Sequence, residues 1–154
     1  MPSVEQRLKE LGIELPTAAA PVANYVTAAR SGSLLVVSGQ LCFGLDGKLV
    51  STGKLGTGAA PEAATRAARW CGINVLAQIK AAAGSLDAVA RIVRLGGFIA
   101  CTPDFTALPG IMNGASDLMV EVFGDKGRHA RTTIGVAALP MDATVEVEAL
   151  VELA

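Results

Sequence analysis

The alternation of apolar and polar positions is sharpest at the C-terminal end of the chain. From Arg131 onward Thr132, Ile134, Val136 and Ala138 occupy the even positions, and from Val145 to Leu153 the apolar residues are odd while Glu146, Glu148 and Glu152 are even. A period of two is the signature of an extended strand with two distinct sides. Leu139-Pro140 reads as the turn between these strands, which predicts a hairpin. With the turn near Pro140 and Met141, paired positions sum to about 281, which sets Glu146 opposite Gly135 and Arg131 opposite Leu150. On that register the even glutamates share a side with Arg131 and Thr133. A face with that composition is solvent, a subunit interface or a site.

Upstream, helical and extended patterns alternate. Ser3 to Leu11 has capping-box character, with Ser3 three residues before Gln6 and Gly12 ending the helix. An Ala/Pro-rich connector follows at Thr17 to Pro21. Two extended runs, Tyr25 to Ala29 and Leu34 to Cys42, are split by Ser31-Gly32-Ser33. Gly44 to Gly58 reads as loop with a short strand at Lys48 to Val50. Pro61 opens a long helix to about Ala83, closed by Gly84, and its stripe Ala64, Ala67, Cys71, Val75, Ile79 and Ala82 keeps helical spacing. Val89 to Cys101 is a strand, and a second helix lies in Ile111 to Phe123 with Ala115, Leu118, Met119 and Val122 on one face.

The order of elements predicts an α+β fold, a mixed sheet with two helices packed on one face, plus a short N-terminal helix. Residues 1–20 form that helix and its connector, and residues 21–154 the main domain. The second sheet face needs a cover of its own.

Composition narrows the options. Hydrophobic residues make up 51 % of the 154 and charged residues 18 %, which predicts apolar surface hidden in an oligomer. No apolar run approaches the roughly 20 residues that span a bilayer, so no membrane partner is expected. The charged N-terminus lacks the apolar core of a secretory signal. A net charge of −1 and 4 % aromatic residues argue against a nucleic-acid partner, since neither a basic face nor a stacking platform is available. Cys42, Cys71 and Cys101 are widely spaced and odd in number, which fits a reducing cytoplasm. With one histidine, His129, a metal-free protein is the default.

Ala130-Arg131-Thr132-Thr133, the Leu139-Pro140 turn and Val145-Glu146-Val147-Glu148 together resemble the signature of the RidA/YjgF family, over about Asn24 to Leu153. The resemblance implies a chorismate-mutase-like fold, a homotrimer, and cofactor-free hydrolysis of 2-imino acids or enamines to 2-oxo acids and ammonia in clefts between subunits. It implies that Arg131 clamps the substrate carboxylate and that Glu146 helps position the attacking water. Tyr25 would line the cleft, Ser38 and Gly39 match a Ser-Gly-Gln step at the site, and Asn113 matches the asparagine that opens the second helix. Thr133 stands where the family often has a cysteine, so a hydroxyl replaces a thiol.

Each of these residues also has a plain structural reading. Arg131 suits a salt bridge to Glu146 or Glu148, Glu146 a solvent-facing strand carboxylate, Tyr25 a sheet-edge residue, and Asn113 a helix N-cap. Ser38 has no base partner in the sequence and is not an activated nucleophile. The cysteines read as small buried residues and Trp70 as a packing anchor. An imine deaminase is therefore weighed against a trimeric binding module for a small carboxylate, and more distantly against an endoribonuclease or translation inhibitor.

Overall fold

The computed structural model describes every residue except Met1 and Val22. Its elements are α1 (Val4–Glu10), β1 (Ala28–Ser31), β2 (Leu34–Leu41), α2 (Pro61–Ala83), β3 (Val89–Ala100), α3 (Leu108–Phe123), β4 (Ala130–Val136) and β5 (Val145–Leu153). They form a mixed five-stranded sheet in the order β1-β2-β5-β3-β4, with α2 and α3 on one face. The expected α+β, chorismate-mutase-like arrangement is present. The long helix runs from Pro61, whose missing N–H costs nothing in a first turn, to Gly84 as its C-cap.

The expected C-terminal hairpin is absent. β4 pairs in parallel with β3, with Phe98 opposite Ile134, while β5 pairs antiparallel with β3 on its other side, with Phe98 opposite Glu146. β3 therefore separates the two strands. The connection through Leu139–Thr144 crosses the end of the sheet instead of turning tightly. Met141 and Asp142 there hold positive φ angles of 58° and 60°, a conformation that bends the chain sharply.

Register fixes the faces, since residues paired across a ladder point to the same side. Leu95, Gly97 and Ile99 pair with Arg131, Thr133 and Gly135 on one side and with Ala149, Val147 and Val145 on the other. That row lies under the helices, where the odd residues of β5 are buried. Gly96 and Phe98 pair with Glu148 and Glu146 and with Thr132 and Ile134, on the open face. Arg131 and Thr133 are thus on the helix side and the glutamates on the other, contrary to the expectation from a hairpin. Leu34, Val36 and Ile134 stay 39 %, 50 % and 45 % exposed. Pairing of Leu34 with Glu152, Val36 with Leu150 and Ile134 with Phe98 puts all three on the open face.

Smaller differences concern boundaries. The first strand is Ala28–Ser31, three residues later than the pattern indicated, so Tyr25 precedes it. α3 begins at Leu108, with Ala107 as N-cap, so Asn113 lies inside the helix and does not cap or open it. Lys48–Val50 contributes only an isolated bridge, Phe43 to Leu49. α2 and α3 cross closely at Gly114, where a Cβ would collide with the Thr65 carbonyl. α1 docks by its buried Leu8, by Arg7 Nε donating to the Glu121 carbonyl at 2.8 Å, and by the Lys80–Glu5 ion pair at 2.7 Å.

Candidate functional site

Arg131, near the start of the edge strand β4, reaches across to α3. Its Nη1 donates to Asn113 Oδ1 at 2.8 Å and Ser116 Oγ at 3.1 Å, and its Nη2 donates to the Pro109 carbonyl at 3.2 Å. All three acceptors are neutral. No carboxylate lies within salt-bridge distance of Arg131 among the described residues; Glu148 pairs instead with Arg94 at 3.6 Å. Three of the five guanidinium N–H groups are occupied, which fixes the plane, and two remain without a partner among the described residues. A fork held by neutral oxygens can take an anion in two parallel hydrogen bonds. It opens on a shallow cavity of about 310 Å³ lined by Asn113, Ser116, Asp117, Arg128, His129 and Arg131.

Ser116 and His129 were not singled out from the sequence. Ser116 Oγ lies 2.8 Å from His129 Nε2, and His129 Nδ1 lies 2.6 Å from the Gly127 carbonyl. A carbonyl only accepts, so Nδ1 carries a proton. The local spacing held a signal: Asn113 and Ser116 are i,i+3 on a helix, and His129 and Arg131 are i,i+2 on an extended segment. Each pair shares a face, and α3 brings the two faces together.

Ser38, Gly39 and Glu146 lie together on the opposite side of the sheet. β2 shifts register between Val37 and Gln40, which places Ser38 and Gly39 in a bulge. A Cβ on Gly39 would collide with the Glu146 carboxylate, so the glycine makes room for that side chain. Glu146 is half-buried, and burial first, then the charge of Glu148, raises its pKa above the ordinary carboxylate value. A raised pKa brings a carboxyl closer to the range useful for proton transfer near neutrality. Ser38 Oγ donates to the Val26 carbonyl at 2.8 Å, which pins the segment carrying Tyr25, itself 51 % exposed. Ser38 thus acts as a tether.

Within one chain the fold brings together Arg131 and Asn113, and separately Ser38, Gly39, Glu146 and the Tyr25 segment. It does not join the two groups. Thr133 follows Arg131 on the helix side, and its buried hydroxyl has no hydrogen-bond partner among the described residues. Cys42 and Cys71 are buried, burial pushing the Cys71 thiol well up, whereas Cys101 is half-buried. Trp70 is half-buried against the core. Among the described residues no three His, Cys, Asp or Glu side chains converge to hold a metal ion, and no helix is long and apolar enough to cross a membrane. A larger cleft of about 640 Å³ lies between α1, the Leu86–Val89 turn and the end of α3. Its Arg7 and Asp87 already bond the Glu121 carbonyl and the Val4 N–H, so they do not converge on a ligand.

Residues 5–153 match the family described as "YjgF/chorismate_mutase-like, putative endoribonuclease". The chain is similar to protein TCP17 of Trypanosoma cruzi, 49 % identical over 151 residues, covering 97 % of this chain and 94 % of the relative. It is similar to a 2-iminobutanoate/2-iminopropanoate deaminase of Dermatophagoides farinae, 32 % identical over 139 residues, covering 90 % and 93 %. The crystal structure of Atu1372 from Agrobacterium tumefaciens superposes with a TM-score of 0.91 at 47 % identity, covering 98 % of this chain and 92 % of that one.

Proposed function

Because the chain belongs to the YjgF/chorismate-mutase-like (RidA/YjgF) family, we propose that it hydrolyses small 2-imino acids to 2-oxo acids and ammonia, without a cofactor, at clefts between copies of itself. The observation that carries this reading is the guanidinium of Arg131, without an ion-pair partner among the described residues and fixed by Asn113, Ser116 and Pro109 with two donors left over. A planar fork of that kind takes a carboxylate in two parallel hydrogen bonds.

The remaining chemistry needs an oriented water. A protonated imine carbon is already electrophilic, so water attacks it once positioned, and Glu146 accepts the proton that the water loses. Glu146 returns that proton to the carbinolamine nitrogen and then takes the hydroxyl proton as the C–N bond breaks, which gives the ketone and ammonia; ammonia carries that last proton away as ammonium. Gly39 leaves Glu146 its place, and Tyr25 stands near the entrance. Thr133 puts a buried hydroxyl without a partner among the described residues two residues from Arg131, where a thiol would otherwise sit.

Arg131 and Glu146 face opposite sides of one sheet, so a second copy has to unite them. The exposed Leu34, Val36 and Ile134 on the open face support burial between copies, arranged as a homotrimer.

The test couples an amino-acid oxidase to the protein and follows the loss of 2-iminobutanoate and 2-iminopropanoate. Acceleration by the parent and its loss in Arg131→Ala support the reading. An inert parent, or a fully active Arg131→Ala, contradicts it. A protein stabilised by 2-oxo acids yet inert towards imines would instead be the binding module.

A further inference from the structure

We propose that His129, acting through Ser116, is a positioning residue for Arg131 and couples capture of the substrate carboxylate to uptake of a proton. The inference rests on the reading that Arg131 takes that carboxylate. Its own basis is the chain of hydrogen bonds from the Gly127 carbonyl through His129 and Ser116 to Arg131, with distances of 2.6, 2.8 and 3.1 Å.

A serine hydroxyl has one proton to give, and that proton decides the state of the chain. With neutral His129, Nδ1–H is donated to Gly127 and the Nε2 lone pair faces Ser116, so the hydroxyl donates to Nε2. Its oxygen then accepts from Arg131 Nη1 and offers no proton to the cavity. When His129 gains a second proton, Nε2–H becomes the donor. Ser116 Oγ accepts from both His129 and Arg131, and its own proton is released towards the cavity. A carboxylate held by Arg131 thereby gains a third donor and the field of an imidazolium.

The charged groups around His129 do not duplicate this role. Arg131 and Arg128 flank it on its own segment, and Asp117 lines the same cavity from α3. Arg128 is engaged by Asp125 at 3.4 Å, and from β3 Arg91 Nη2 donates to the Arg128 carbonyl. Among the described residues Ser116 alone joins the imidazole directly to the guanidinium. By linkage, whatever the added proton does for the ligand, the ligand does for the proton.

The experiment is calorimetric binding of 2-oxobutanoate, the unreactive product of the proposed reaction, at several pH values and in buffers of different ionisation enthalpy. The parent protein is expected to bind more tightly as pH falls and to take up protons on binding. His129→Gln, whose amide oxygen still accepts from Ser116, is expected to keep the affinity seen at high pH and to lose both the strengthening and the proton uptake. His129→Ala should bind roughly tenfold more weakly at low pH, the scale of one hydrogen bond to a charged group. Ser116→Ala keeps the imidazole but should take up less proton than the parent. Should His129→Ala fail to fold, His129→Gln decides alone. Unchanged affinity and proton uptake in His129→Gln, with binding still abolished by Arg131→Ala, overturn the role of His129 and leave the Arg131 reading standing. No binding by the parent, or undiminished binding by Arg131→Ala, overturns both.

Discussion

Arg131 keeps its charge beside three neutral oxygens, and Glu146 keeps its carboxyl half-buried beside Glu148. Both are costly for a residue that serves stability alone. Ionised Glu146 is disfavoured in the folded state, so its folded pKa lies above the unfolded value of about 4.3. The fold therefore binds more protons there than the unfolded chain, and stability is lost as pH rises through the folded pKa. Glu146→Gln is expected to melt higher than the parent at neutral pH, with the gain vanishing below about pH 4. The same substitution should lower kcat for imine hydrolysis by about 10²-fold or more, the range of a lost general base. A lower melting temperature at neutral pH, or unchanged kcat, would count against this account of Glu146. Thiol titration tests the cysteines: Cys101 should react in the native protein, and buried Cys42 and Cys71 only after unfolding.

At the scale of elements, the bulge in β2 and the crossing of α2 with α3 are the sensitive points. Gly39→Ala meets the flexible side chain of Glu146 first, so it is expected to leave the melting temperature nearly unchanged while lowering kcat at least tenfold. Gly114→Val meets backbone at Thr65, and denaturant unfolding should show a loss of about 1–3 kcal/mol. A swap of these outcomes would mean the two glycines are misassigned. The same elements show what the chain discloses in advance. Pro61 and Gly84 mark α2 because the first turn tolerates proline and the C-cap favours glycine. Alternation sorts Val145–Leu153 into two sides correctly. It says nothing of which strand lies alongside, and so the insertion of β3 between β4 and β5 was illegible. Leu108-Pro109-Gly110 hides the start of α3, which made Asn113 look like a cap. Ser116 and His129 are thirteen positions apart and meet because the Gly124–Gly127 turn folds the chain back along α3.

For the whole molecule, the helices cover one side of the sheet and the open side carries Leu34, Val36, Ile134 and the half-buried Phe98 and Leu150. The assembly we propose through that side would account for both the apolar composition and the split between Arg131 and Glu146. Val36→Glu is expected to shift sedimentation from a trimer towards the monomer and to abolish turnover with it, whereas a parent that sediments as a monomer would remove the basis for a shared cleft. The most direct test of the central claim combines two inactive variants, Arg131→Ala and Glu146→Gln, co-refolded in equal amounts. If each site takes its arginine from one copy and its glutamate from the next, random assembly restores roughly a quarter of the parent activity, because that share of clefts pairs two intact residues. A mixture as inactive as its components would contradict the claim.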